Sequence, residues 1–84
     1  MQIDGAVIKE QNVTFAIVVV KPSVLTSSTK EQSRLQYQRI FPGMPVILMA
    51  QNSKGVPTYD GRKDIVKFLA NTPFQAIPWK RYTL

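Results

Sequence analysis

Two runs of consecutive apolar residues constrain this chain more than anything else in it: Phe15-Ala16-Ile17-Val18-Val19-Val20 and Val46-Ile47-Leu48-Met49-Ala50. Successive side chains of an extended strand point to opposite faces. A run that is apolar at every position therefore needs cover on both faces, the condition of an interior strand. Lys21-Pro22 ends the first run, because proline has no N–H to give to a ladder. Interior strands are expected at 13–20 and 46–50, inside a layered α/β domain of two or three layers.

The rest of the chain supplies the partners. Residues 2–8 and the polar stretch Lys9-Glu10-Gln11-Asn12 predict a first strand and a turn, making an opening hairpin with 13–20. Ser28 and Glu31 have capping-box spacing, and Pro42-Gly43 stops what precedes it, so 28–41 reads as a helix. Its apolar stripe of Tyr37, Ile40 and Phe41 is narrow, and Leu35 points elsewhere. Gln51 to Gly55 is a turn by composition, followed by a strand at 56–59 that Pro57 places at a sheet edge. Residues 62–71 predict a second helix, with Ile65, Phe68 and Leu69 on one face, Asp64 in the first turn and Asn71-Thr72-Pro73 as the stop. The expected architecture is a mixed sheet in the order β-β-α-β-β-α. An extended C-terminal tail either adds an edge strand or crosses the surface.

At 84 residues the chain has room for one domain, 1–84, with a thin core. It contains no cysteine and no histidine. Thiolate nucleophiles, disulfides and dithiol redox centres are thereby excluded, and the usual metal ligands and the usual general base near neutral pH are missing. A non-catalytic protein without cofactor or metal is expected. No apolar run approaches the roughly 20 residues of a membrane helix, and no signal-peptide pattern is present, so a cytoplasmic protein with no membrane association is expected. The formal charge is +6, and it is uneven. Residues 1–53 carry five basic and three acidic groups, and residues 54–84 carry six and two. Such an excess attracts anionic partners without saying anything about fold.

The segment Gly43-Met44-Pro45-Val46-Ile47-Leu48-Met49-Ala50, the turn at Gly55, Gly61 and the helix after it resemble the C-terminal half of the thioredoxin-like fold. The similarity spans residues 13–71. It implies a cis peptide bond at Pro45 and a Met44 backbone offered to a partner peptide. The redox unit of that family has no counterpart here, so the resemblance implies no redox activity.

Two patches are candidate sites. Pro78-Trp79-Lys80-Arg81-Tyr82 interleaves rings with cations, which suits single-stranded nucleic acid: rings stack on bases and cations follow phosphates. Arg62, Lys63 and Lys67 extend this patch if the tail lies near the second helix. The alternative is that Trp79 and Tyr82 anchor the tail on the core. Tyr59-Asp60-Gly61-Arg62-Lys63 lies at a helix start, where free N–H groups suit an anion, although Asp60 in the cap position opposes one. Two functions remain in view: an interaction domain for a protein or peptide, and a nucleic-acid-binding protein that uses the basic C-terminal half.

Overall fold

Each of the two apolar runs divides its side chains between opposite faces of a sheet. The computed structural model of the chain describes residues 2–10 and 12–83. Gln11, in the expected first turn, and Leu84, at the end of the expected tail, lie outside the described residues. Strands β1 (Gln2–Glu10) and β2 (Val13–Val19) form the opening hairpin, β3 (Val46–Gln51) and β4 (Pro57–Asp60) form the second, and the tail supplies β5 (Lys80–Thr83). Among the described residues these five strands make one mixed sheet in the order β4-β3-β2-β1-β5. β2 and β3 are parallel, with Ala16 opposite Val46 and Val19 opposite Met49. The other neighbouring pairs are antiparallel. Three α-helices complete the compact α+β domain: α1 (Pro22–Leu25), α2 (Lys30–Gln38) and α3 (Lys63–Ala70).

Phe15, Ile17, Val19, Ile47 and Met49 face α3 and pack with Ile65, Leu69 and Ile77. Ala16, Val18, Val46 and Leu48 face the other way and meet Val24 and Leu25 of α1, Tyr37 of α2, and Phe41. Helices thus cover both faces, as two-sided apolar strands require. Phe15, Ile17, Ile47, Leu48, Met49, Leu69 and Val18 are the largest fully buried side chains, each worth about 1.5–3 kcal/mol when removed from water.

The structure departs from the sequence expectations in several places. The helix expected over 28–41 is the shorter α2, Lys30–Gln38, and a separate helix not expected from the sequence, α1, precedes it. Pro22 starts α1, where its fixed φ suits a first helical turn, and the chain breaks at 26–29 before α2 begins. The Ser28–Glu31 capping box does not form. Thr29 is the N-cap and makes no side-chain cap bond; its N–H instead donates to Ser27 Oγ at 3.1 Å, and Glu31 accepts from Arg34 Nε at 3.1 Å. α2 stops at Gln38, whose side-chain amide donates to the carbonyls of Phe41 at 2.8 Å and Met44 at 2.6 Å. That bracing swings Phe41 into the second core. The strand order therefore gains a helix and a final strand over β-β-α-β-β-α.

No cis peptide bond occurs among the described residues, so Met44–Pro45 is trans rather than cis. The Pro45 carbonyl accepts from Ala16 N–H at 2.9 Å and opens the parallel ladder. The Met44 carbonyl, expected to face a partner, is taken by Gln38. Asp60 does not cap α3, whose N-cap is Arg62.

Candidate functional site

The expected site residues fall into three groups. Met44 and Pro45 lie at the start of β3 beside α2. Trp79, Lys80, Arg81 and Tyr82 lie on or next to β5. Tyr59 lies in β4, Arg62 and Lys63 lie at the start of α3, and Lys67 lies in its last turn. β4 and β5 are opposite edges of the sheet, about 19 Å apart at four strand spacings. Arg62, Lys63 and Lys67 therefore do not extend the patch of the tail.

The tail residues are tied into the fold. Trp79 packs on Phe74 with ring centroids 5.1 Å apart, and its indole N–H donates to the Phe74 carbonyl at 3.2 Å. Tyr82 meets Phe41 edge-on at 5.3 Å. The two rings, each partly buried, pack against cores on opposite faces of the sheet, so they do not form one stacking platform. Arg81 Nε donates to Asp4 Oδ1 across the strands at 3.1 Å, and Lys80 Nζ lies 5.8 Å from the Tyr82 ring centre. A cleft of about 400 Å³ between Phe74, Trp79, Val19 and Met49 has this Asp4–Arg81 pair at its rim.

A second cleft, beside Pro45 and Gly61, holds an ion network. Arg34 binds the Asp60 carboxylate, the Glu31 carboxylate and the carbonyls of Asp60, at 2.9 Å, and Val46, at 3.3 Å. Lys30 Nζ meets Asp60 Oδ2 at 2.9 Å. Gly61 leaves room for this: a methyl there would run into Ile47 Cδ1 and crowd the Arg34 guanidinium. Burial pulls the Asp60 carboxyl upward, but hydrogen bonds from Lys30 and Arg34 outweigh it and hold the group below its ordinary range. The charges here neutralise one another.

The β4 edge differs. Two clefts of about 320 and 360 Å³ run along it, sharing Tyr59 of β4 and Val66 and Ala70 of α3. Lys63 and Lys67 line one end, and Val56, Pro57 and Thr72 line the other. Lys63, Val66, Lys67 and Ala70 recur at i, i+3, i+4 and i+7, so they form one stripe, turned away from buried Ile65 and Leu69. Among the described residues Lys63 and Lys67 make no ion pair, whereas Arg62 is held by Asp64 at 2.8 Å. Val56, 55% exposed, extends the apolar lining of this groove. The Tyr59 hydroxyl is covered and has no hydrogen-bond partner among the described residues, and burial raises its pKa.

Hydrogen bonding at this edge follows from the hairpin. Asn52 N–H donates to the Val56 carbonyl at 3.0 Å, while Asn52 Oδ1 accepts from the N–H groups of Lys54, at 2.9 Å, and Val56, at 3.0 Å. Antiparallel pairs alternate between hydrogen-bonded and open. With Gln51 opposite Pro57 and Ala50 opposite Thr58, Thr58 and Asp60 point their backbone groups inward. Tyr59 then turns its N–H and C=O outward, joined by the C=O of Pro57. The edge thus offers one donor and two acceptors.

Of this groove the sequence marked Tyr59, Lys63 and Lys67. It did not mark Val56, Val66 or Ala70. The i, i+3, i+4, i+7 spacing of the stripe was the available signal. Among the described residues no acidic cluster could hold a metal, and no helix is long and apolar enough to cross a membrane. Compared with protein-family models, with curated proteins and with solved structures, the chain has no match.

Proposed function

We propose that the protein is a non-catalytic interaction domain that takes up an extended peptide segment as a sixth strand on β4. One observation carries this: the outward backbone of Tyr59 lies along an apolar groove whose far wall is α3. In strand addition the main chain supplies hydrogen bonds, and pockets for alternate side chains supply selectivity. Both parts are adjacent at β4. Pro57 withholds a donor and the edge is four residues long, features that also restrain indiscriminate edge pairing. Modest affinity is the consequence.

The nucleic-acid alternative has less support, because Trp79 and Tyr82 sit on opposite faces and Arg81 is paired with Asp4. The thioredoxin-like resemblance adds nothing to this site. Its distinguishing feature, a cis Pro45 facing a partner, is missing, and Met44 and Pro45 are not part of the proposed surface.

The test is selection of linear peptides from a random display library on the intact chain, with binding mapped by amide shifts of labelled protein. Selected peptides are expected to shift residues 56–60 and 63–70. Ala70→Trp, which fills the groove from an exposed helical position, is expected to abolish binding while leaving the melting temperature nearly unchanged. Selected peptides that instead shift the residues around Trp79 would contradict the proposal.

A further inference from the structure

Resting on that reading of the β4 edge, we infer that its partner is an acidic strand, with an apolar side chain against Val66 and Ala70 and a carboxylate against Lys63 and Lys67. The charge of the groove is the reason. The cleft beside Trp79 has its Arg81 bound to Asp4, and the cleft beside Pro45 has its Arg34 bound to Asp60 and Glu31. Lys63 and Lys67 line one cleft together and make no ion pair among the described residues, whereas Lys80, which also makes none, stands singly at the cleft beside Trp79. Asp60 also lines that cleft, but its carboxylate is turned to Lys30 and Arg34 on the α2 side.

Strand geometry sets the spacing of the partner. The centres of the Lys63–Lys67 and Val66–Ala70 pairs are separated by about 4.5 Å along the helix axis, nearest to the roughly 6.6 Å between alternate residues of an extended chain. Side chains facing α3 recur every second residue, so the acidic and apolar groups sit two apart. A strand that alternates acidic or apolar residues toward the helix satisfies both ends at once.

The same charge excludes the other ready source of a strand, a second copy of this chain. A twofold pairing of β4 with β4 would place the lysines of both copies along one seam, in molecules that each carry +6. Like charges in register suppress such pairing. An acidic partner is instead drawn in by the net charge before contact.

Four probes test this by amide shifts and titration: short blocked threonine-based peptides that carry a valine and, two residues on, a glutamate, glutamine or lysine, so that both side chains share one face of the strand, and oligothymidylate. The glutamate peptide is expected to shift residues 56–60 and 63–70 and to bind about tenfold more tightly than the glutamine peptide, as two exposed ion pairs allow. Its affinity falls with added salt. Lys63→Glu/Lys67→Glu, at two exposed positions, is expected to remove that advantage and to favour the lysine peptide. Equal binding of the glutamate and glutamine peptides at these residues would overturn the acidic preference and leave the edge reading standing. No peptide shifting these residues would overturn both. Oligothymidylate binding at the lysines in preference to every peptide would also overturn both, in favour of nucleic acid.

Discussion

Asp60 shows how far a residue's role can lie from its sequence position. Beside Gly61 and ahead of a helix it reads as a cap, yet it turns to the other face of the sheet and binds Lys30 and Arg34, thirty and twenty-six residues away. No local pattern encodes those separations. Arg34, with only 16% of its side chain exposed, is the centre of the network. Arg34→Ala is expected to cost about 1–3 kcal/mol, because two strand-end carbonyls and two carboxylates lose a charged donor; urea denaturation measures it. The depressed pKa of Asp60 makes a signed prediction. Its ionised form is favoured by folding, so its contribution is complete above the unfolded value of about 4. It is lost as pH falls below that through the folded value. Asp60→Asn is expected to be less stable at neutral pH and to show a shallower loss of stability as pH falls below about 4 than the parent. Equal acid slopes would contradict this.

At the scale of elements, what was legible is what depends on local periodicity. The two-sided apolar runs located β2 and β3, Pro57 marked an edge strand, and the i, i+3, i+4 pattern located α3 within a residue or two. What failed depended on competition. Ser28 had the spacing of a cap, but Pro22 starts a helix earlier, and Ser27 and Thr29 exchange side-chain bonds in the break that follows. Ser28→Ala is accordingly expected to change stability by less than about 0.5 kcal/mol, whereas a working cap would cost about 1. The tail was left between strand and surface arm because four residues with two charges carry little periodicity. Its pairing with β1 over Gln2 to Gly5 is a long-range event. Trp79 is partly buried against the core, and Trp79→Ala is expected to cost about 1 kcal/mol or more through lost burial. A variant of unchanged stability would return the tail to the role of a binding surface.

For the whole molecule, the sheet order explains why charge in sequence did not become charge in space. The basic excess of residues 54–84 is split between the two edges, β4 with α3 on one side and β5 on the other. At β5 Arg81 is bound to Asp4, and Trp79 and Tyr82 pack against the cores. At β4 two lysines border an apolar groove. The groove was not legible in the sequence because it is made jointly by a hairpin turn, an edge strand and a helix face, and no single pattern spans all three. The central claim concerns one backbone amide. The Tyr59 N–H faces outward from β4, and those of Thr58 and Asp60 face β3. Hydrogen exchange measured amide by amide, without and with saturating glutamate–valine peptide, tests this most directly. Slow exchange at Thr58 and Asp60 in both states, with Tyr59 passing from fast to slow on binding, is the predicted result. Tyr59 exchanging at the same rate in the two states, with the peptide bound, would contradict it.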